Sequence, residues 1–292
     1  MTSYHDKKYI DLVNHIYENG VMKPNRTGVD TVGVFGYQMR FDLSDGTIPL
    51  LTTKKMHTRS IIHEILWYLQ GSSNIKYLND NGVTIWDEWT DDQGELGPVY
   101  GVQWRKWQKY NWIPGTGVGT VWEPDHYEVS SVDQIAQVVD KLKNNPLDRR
   151  LIVSAWNVAE LPDMKLPPCH YSFQLNAVPT FGESYKLSLL INQRSCDVGL
   201  GVPFNIAQYA ILLRMFCEVA DMTPGELIWN GGDTHIYVNH INALDEQIKR
   251  EPFPSPVFKF ARKVDDIDDF KYDDFVIEGY ESHPTIKMEV AV

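Results

Sequence analysis

A cysteine preceded by two prolines is the first candidate for chemistry in this sequence. In the run LPPCHYSFQL, the prolines fix the backbone before a predicted strand and hold the Cys169 thiol at its entrance, which suits a nucleophile. A free cysteine beside an apolar strand is more often a packing residue, so the local sequence leaves both alternatives open. His170 is not expected to act as its base, because successive side chains of a strand point to opposite faces. A neighbouring cation that lowers the thiol pKa is the expected means of activation.

The run INQRSCDVGLGVPFN at 191–205 is predicted to end a strand and turn through glycines into a helix, and it is polar where an apolar core would be expected. Arg194 and Ser195 can hold an anion through a charge-assisted fork and a hydroxyl group, and a phosphate is the obvious candidate. Three further arginines could complete such a pocket: Arg26, Arg149 and Arg150. Taken alone, the Arg149-Arg150 pair is typical of a solvated helix exit.

The carboxamide of Asn205 offers a more discriminating contact. One carboxamide can donate to a pyrimidine O4 and accept from N3–H together, a pattern that fits uracil, whereas cytosine presents the reverse. Asn205 also stands at the start of a predicted helix over 205–219, where it could serve as a helix cap. The two interpretations do not exclude each other.

A carboxylate lies inside the most apolar helix of the chain. The run RSIIHEILWYLQ predicts a buried helix over 59–70, ended by Gly71, with Glu64 in its middle. Burial raises the pKa of a carboxyl group and makes it a candidate for proton transfer, while the alternative is a structural carboxylate satisfied by hydrogen bonds. Both remain open from the sequence.

Two further pairs of residues could contact a ligand. His235 and Tyr237, two apart in GGDTHIYVNH, would share one face of a strand. A metal pair there lacks a third ligand of obvious spacing, so a polar contact such as a sugar hydroxyl is favoured. Trp86 and Trp89 in TIWDEW are predicted wall residues whose flat faces could cover a ring-shaped cofactor.

Helices and strands that could position these residues are intermixed along the whole chain. Helices are predicted over 9–19, 59–70, 131–145, 205–219 and about 239–250, and strands over 31–42, 150–156, 170–178 and 185–193. The Gly- and Pro-rich segment 108–132 shows no sustained period and is predicted to be a long ordered loop or insertion. We expect a single α+β (mixed α/β) domain over 1–292, with a large mixed sheet packed by buried helices.

Composition narrows the class of protein. The chain has 292 residues, 43% hydrophobic and 23% charged, which excludes a disordered or collagen-like protein. Its formal net charge of −12 argues against nucleic-acid or anionic-membrane binding driven by global charge. The three cysteines, Cys169, Cys196 and Cys217, show no C-x-x-C spacing, so neither a disulfide framework nor a zinc site is predicted. With no apolar leader and no membrane-length apolar run, we expect a cytoplasmic protein.

A series of ordered sequence blocks resembles the folate-dependent thymidylate synthases. The matching blocks are RTG (26–28), TTKK (52–55), SIIHEILWYLQG (60–71), TIWDEW (84–89), GPVYGVQWR (97–105), RRLIVSAWN (149–157), LPPCH (166–170), QRSCDVGLGVPFNIAQYA (193–210) and GGDTHIYVNH (231–240). A single block such as QRS would be weak, whereas the series in one order is very specific. The resemblance covers nearly the whole chain.

The resemblance implies reductive methylation of deoxyuridylate (dUMP) to thymidylate (dTMP), with 5,10-methylenetetrahydrofolate as donor of carbon and hydride, dihydrofolate as second product and no metal. It implies that Cys169 attacks C6 of dUMP, that Glu64 organises proton transfers through water, and that Tyr100 assists removal of the C5 proton. The expected dUMP ligands are Arg26, Gln193, Arg194, Ser195, Asp197, Asn205, His235 and Tyr237, with Arg149 and Arg150 contributed by the other subunit of a homodimer.

The resemblance also implies a folate side of the site. The expected folate contacts are Lys54 at the polyglutamate tail, Asp197 at the pterin, His57, Trp86, Trp89, Leu200, Gly201 and Phe204 around the cavity, and Ala291-Val292 closing over the ligands. Closure of that terminus is expected to exclude water.

Two positions depart from the resembled pattern. Asn192 stands where many members carry tyrosine, and Gln208 where serine is common, so we expect altered hydrogen bonding behind the site without loss of activity. A dUMP hydroxymethylase, in which water replaces hydride at the last step, remains the nearest alternative. A non-catalytic nucleotide- or RNA-binding derivative is a more distant one, because a binder needs no nucleophile.

Overall fold

The computed structural model describes residues 4–118, 121–122, 124–182 and 184–290. Its helices are α1 (Tyr4–Asn19), α2 (Thr58–Gln70), α3 (Lys76–Asp80), α4 (Tyr100–Lys106), α5 (Gln134–Asn144), α6 (Gly201–Val219) and α7 (Ile241–Gln247). Its strands are β1 (Val21–Lys23), β2 (Thr31–Asp42), β3 (Trp107–Ile113), β4 (Gly117–Val118), β5 (Val121–Trp122), β6 (His126–Val132), β7 (Ile152–Ser154), β8 (His170–Pro179), β9 (Tyr185–Asp197), β10 (Thr223–Tyr237), β11 (Val257–Phe260) and β12 (Phe275–Glu278).

A six-stranded mixed sheet in the order β1-β2-β10-β9-β8-β7 forms the centre of the protein. Strand β10 runs parallel to β9, and the remaining neighbours pair antiparallel, with Phe41 of β2 opposite Leu227 of β10. Because β9 and β10 run in the same direction, the carboxyl ends of both strands meet at one edge of the sheet. That edge carries the candidate site.

Helices α1 and α6 cover one face of this sheet, and α2 packs on α6. Helix α6 is apolar around most of its circumference, as a helix enclosed on all sides should be, and α2 is buried from Ser60 to Leu69. The aromatic rings of Trp67, Trp104 and Trp229 are fully buried between these layers. The predicted single mixed domain with buried helices is confirmed.

A buried carboxylate connects helix α1 to the segment that precedes α2. Asp6 is fully buried and accepts four hydrogen bonds, from the backbone N–H and hydroxyl groups of Thr52 and Thr53, at 2.9 to 3.1 Å. The segment leading into α2 therefore depends on a charged acceptor for the pairing of its polar groups. None of the described helices is both long and apolar enough to cross a membrane.

Most of the predicted elements are confirmed, and two are corrected. The predicted helix over 205–219 begins at Gly201, so Asn205 lies within its second turn and Leu200 occupies the cap position. The interpretation of Asn205 as a helix cap is therefore wrong. The predicted loop over 108–132 contains an antiparallel hairpin, in which β3 pairs with β6 over seven residue pairs from Trp107–Val132 to Ile113–His126.

Candidate active site

A cavity of about 1060 Å³ opens at the edge where β9 and β10 end. Sixteen predicted site residues line it: Arg26, Glu64, Trp86, Trp89, Tyr100, Cys169, Gln193, Arg194, Ser195, Asp197, Leu200, Gly201, Phe204, Asn205, His235 and Tyr237. Strand ends supply the polar groups, and the first turns of α6 supply much of the apolar wall. Residues far apart in sequence thus converge on one open cleft, whose volume is at the upper end of the range typical of ligand pockets.

Cys169 lies directly before β8, at the strand entrance that its two prolines predict. Its backbone N–H donates to Tyr100 Oη at 2.7 Å, and its carbonyl oxygen accepts from the backbone N–H of Arg194 at 2.8 Å. Burial raises the pKa of the Cys169 thiol, and the Arg194 charge, with a smaller contribution from Arg26, opposes that rise. The predicted lowering of the thiol pKa by a cation is therefore not the net effect in this ligand-free structure, because burial outweighs the arginine charges.

The Arg194 guanidinium is fixed behind the cysteine. Its Nε donates to Pro168 O at 2.9 Å, its Nη2 donates to Pro167 O at 2.8 Å, and the group lies over the Trp156 ring at 5.3 Å from its centroid. Two of its five N–H groups are thereby used to hold the prolines. The remaining donors are available to an anion in the cavity.

Glu64 is a buried carboxylate held from both sides. Its Oε1 accepts from Trp86 Nε1 and its Oε2 accepts from Gln208 Nε2, each at 2.6 Å. Burial raises the pKa of Glu64 to about 7, while hydrogen bonds from Trp86, Gln208 and Tyr68 act against this rise. A carboxyl group that gains and loses its proton near neutral pH is suited to proton transfer.

Tyr100 and His170 are neutral aromatic groups beside the thiol. Their rings stack with centroids 4.3 Å apart, and burial raises the pKa of Tyr100 well above its ordinary value. Burial lowers the pKa of His170 to about 3, and its Nδ1 shares a hydrogen bond of 2.9 Å with Tyr209 Oη. Tyr100, the first residue of α4, also has an uncommon positive φ of 20°, which is a strained backbone conformation.

The carboxamide of Asn205 is oriented by Gln193. Gln193 Nε2 donates to Asn205 Oδ1 at 3.1 Å, and Gln193 Oε1 accepts from Trp229 Nε1 at 2.9 Å. Since the indole N–H can only donate, this series of hydrogen bonds fixes which atom of each carboxamide is the acceptor. Asn205 thereby has a defined oxygen and a defined NH₂ group beside the cavity.

His235 and Tyr237 lie on one side of the cavity, as their spacing on a strand predicts, with perpendicular rings 5.2 Å apart. Asp233 Oδ1 lies 3.1 Å from His235 Nδ1, and Lys23 forms an ion pair with the same carboxylate. Asn25 Nδ2 donates to Tyr237 Oη at 3.4 Å. Within the described ranges, no group of three or more His, Cys, Asp or Glu residues could hold a metal ion.

Residues 7–292 match the family described as Thymidylate synthase. The chain belongs to the thymidylate synthase family. Membership makes the protein a folate-using methyltransferase of nucleotide biosynthesis, and the convergence of its motif residues on one cavity accords with that assignment.

Four residues expected from the thymidylate synthase resemblance do not line the cavity: Lys54, His57, Arg149 and Arg150. Lys54 is buried and its Nζ donates to Gly199 O at 2.5 Å; burial lowers its pKa to about 8, and Asp197 opposes this change. Lys54 is therefore not accessible to a folate tail in this structure, contrary to the expectation from the resemblance. His57 is exposed at the start of α2, where its Nδ1 lies 2.6 Å from Ser60 Oγ.

Arg149 and Arg150 are exposed, and Arg150 forms hydrogen bonds with Asp148. Ala291 and Val292 lie outside the described residues, whereas Val290 lines the cavity. Several further residues line the cavity that were not predicted from the sequence, among them Asn25, Tyr68 and Asp233. Tyr68 could have been found from its spacing, because it lies one helical turn after Glu64.

Proposed function

We propose that the protein converts dUMP to dTMP by reductive methylation, through a covalent bond between Cys169 Sγ and C6 of the uracil. The folate, 5,10-methylenetetrahydrofolate, would supply both the one-carbon unit and the hydride and leave as dihydrofolate. The observation that carries this proposal is the placement of the Cys169 thiol, the Arg194 guanidinium and the Asn205 carboxamide in one cavity. Nucleophile, phosphate ligand and uracil ligand are the three groups that the first step needs.

The anionic end of dUMP lies on the arginine side of the cavity. Arg194 keeps N–H groups for the phosphate while it holds the prolines, and Ser195 and Arg26 line the same wall. His235 and Tyr237 contact the 3′-hydroxyl of the deoxyribose. A local cluster of cations thus attracts an anion to a protein whose net charge is −12.

Proton movements are assigned to Glu64 and Tyr100. Glu64, with its pKa raised to about 7, exchanges protons with the pyrimidine through water. Tyr100, kept neutral by burial, donates or accepts hydrogen bonds near C5 while its oxygen stays bonded to the Cys169 N–H. The folate ring lies against the apolar wall formed by Trp86, Trp89 and Phe204, with Leu200, Gly201 and Asp197 beside it.

The active unit is a homodimer in which each cavity receives Arg149 and Arg150 from the other subunit. The sheet face opposite α1 and α6 supports this proposal, because it carries half-buried side chains with exposed apolar residues at Ile152 and Val178. A polar row crosses four strands on this face: Gln38 donates to Asn230 at 2.8 Å, Asn230 to Asn192 at 3.1 Å, and Asn192 to Ser172 at 3.2 Å. Satisfied polar groups between apolar ones suit an isologous contact.

Mixing two inactive variants tests the shared site. Cys169→Ala and the double variant Arg149→Ala/Arg150→Ala should each be inactive, whereas unfolding and refolding them together should restore about a quarter of the wild-type activity by random pairing. Complementation fails if each chain supplies all of its own site.

The activity itself is tested with purified protein, dUMP and 5,10-methylenetetrahydrofolate. Dihydrofolate is followed by its ultraviolet absorbance, and the nucleotide product is identified by its mass. Equal amounts of dTMP and dihydrofolate support the synthase, whereas hydroxymethyl product with tetrahydrofolate would assign the hydroxymethylase. Bound nucleotide without product would leave the binding-protein hypothesis. Cys169→Ala should abolish turnover and retain measurable dUMP binding, and unchanged turnover would contradict the covalent mechanism.

A further inference from the structure

The Glu64 carboxylate has a second support, on α6, that does not touch the cavity. Gln208 is fully buried and absent from the cavity wall, and its Nε2 donates to Glu64 Oε2 at 2.6 Å across 144 residues of sequence. On the side of the cavity, Trp86 Nε1 donates to Glu64 Oε1, also at 2.6 Å. Each carboxylate oxygen therefore has one short N–H donor, and the two donors come from different parts of the chain.

No cation faces Glu64 among the described groups that interact with it. The titratable neighbours are Tyr68 on α2, Tyr100 on α4 and Tyr209 on α6, and burial raises the pKa of each well above its ordinary value. His170, whose ring contacts those of Tyr68, Tyr100 and Tyr209, is held neutral because burial lowers its pKa to about 3. The negative charge of Glu64 consequently depends on hydrogen-bond donors alone.

We infer that Gln208 is a positioning residue, which aims the Glu64 carboxylate into the cavity and sets how readily it releases its proton. The inference extends the proposed function and rests on it for the link to turnover. A hydrogen bond to the charged form favours that form, so the Gln208 N–H group stabilises ionised Glu64 against the effect of burial.

The carboxamide can serve both protonation states of Glu64. Gln208 Oε1 is buried and has no hydrogen-bond partner, which is costly for an amide oxygen. Rotation of the carboxamide by half a turn would bring this oxygen to Oε2, where it could accept a hydrogen bond once Glu64 is protonated. The Trp86 indole has only a donor and cannot make this exchange. Of the two N–H donors, only Gln208 can follow the proton; the hydroxyl of Tyr68, the third donor to Glu64, can also donate or accept.

Substitution of Gln208 by methionine tests the inference. Gln208→Met keeps the length of the side chain and removes the N–H donor. The matched control is Gln247→Met, since Gln247 is also fully buried, also has an unpartnered Oε1, and donates to Thr53 Oγ1 at 3.2 Å. Infrared difference spectra of the ligand-free protein follow protonation of Glu64 across pH, with Glu64→Gln used to assign the carboxyl band.

We expect a protonation midpoint near pH 7 in the wild type and in Gln247→Met, and a midpoint about one pH unit higher in Gln208→Met. The acid limb of the kcat profile should move by the same amount, with KM for dUMP within about twofold of wild type because the residue does not line the cavity. An unchanged midpoint and limb would overturn the inference. A shifted midpoint in a protein that forms no dTMP would instead defeat the proposed function and leave the role of Gln208 intact.

If Gln208→Met does not fold, Gln208→Ser carries the same test. The serine hydroxyl starts from the same backbone position and is too short to reach the carboxylate directly. Its protonation midpoint should also rise, and a midpoint equal to that of wild type would count against the inference as firmly as in the methionine variant.

Discussion

Removal of the Tyr100 hydroxyl tests the centre of the proposed mechanism. Tyr100 is 2% exposed, and its Oη accepts the backbone N–H of Cys169 at 2.7 Å. Tyr209 provides a matched control in the same aromatic cluster: it is fully buried and its Oη lies 2.9 Å from His170 Nδ1, but it does not line the cavity. Tyr100→Phe and Tyr209→Phe therefore each remove one buried hydrogen bond, and only the first removes a group that faces substrate.

The two variants should lose similar stability and differ in catalysis. Each leaves a buried nitrogen without its partner, which costs about 1–3 kcal/mol in the free energy of unfolding. Loss of a proton-transfer group in the transition state lowers kcat by about 10²- to 10⁴-fold. We expect this loss only for Tyr100→Phe, with KM for dUMP little changed, because the hydroxyl acts on the C5 proton after the nucleotide is bound.

Urea unfolding and steady-state kinetics measure the two effects separately. Release of tritium from C5-labelled dUMP isolates the proton-removal step and should fall with kcat in Tyr100→Phe alone. Equal losses of kcat in the two variants would refute the reasoning, since they would trace the effect to disturbed packing. A Tyr100→Phe variant with kcat within tenfold of wild type would also refute it.

Three further perturbations follow from the same contacts. Arg194→Met should slow alkylation of the Cys169 thiol at pH 8 by about three- to tenfold, because the guanidinium opposes the rise of the thiol pKa. An unchanged alkylation rate would show that Arg194 does not influence the thiol pKa. Asp6→Ala should lower the free energy of unfolding by about 2–5 kcal/mol in urea titrations, because four donors lose their buried acceptor, while kcat of the folded protein stays the same. The pKa of His170 is lowered to about 3 in the folded state, so the unfolded chain binds more protons between pH 6.5 and 3 and stability falls as pH falls through that range. His170→Gln should reduce this slope by up to about 1.4 kcal/mol per pH unit, and an identical slope of urea midpoints against pH would contradict the assignment.

Local patterns predicted the elements whose own sequence determines them. The apolar spacing of α2 and its stop at Gly71 were sufficient, since Gly71 adopts the left-handed conformation that ends the helix. Hairpin β8–β9 was likewise predictable from two runs of β-forming residues around a short turn. Sixteen of the residues named from the motif blocks line one cavity, and their roles there stay predictions.

Other features depend on partners that lie far away in the sequence. Helix α6 begins without a side-chain cap, so no capping residue in the sequence indicates that the helix starts at Gly201. Strands β3 and β6 do share an apolar face, with Tyr110 opposite Val129 and Trp112 against Tyr127, but this face is exposed and its alternation was not recognised among the neighbouring Gly and Pro residues. Burial of Lys54 on Gly199 and the link from Gln208 to Glu64 arise from packing of separate segments, which a local pattern does not encode.

The pairing of β2 with β10 also governs when the site can form. Residues 31–42 meet residues 223–237, whereas β8 and β9 are joined by a turn and need no distant partner. During synthesis on a ribosome, β2 therefore cannot pair with β10 until most of the chain has emerged, and Phe41 and its neighbours stay exposed until then. Such non-local contacts give a high contact order and slow folding. Arg26 lies between β1 and β2, so we expect the part of the cavity wall that it lines to form only after residues 223–237 have been synthesised.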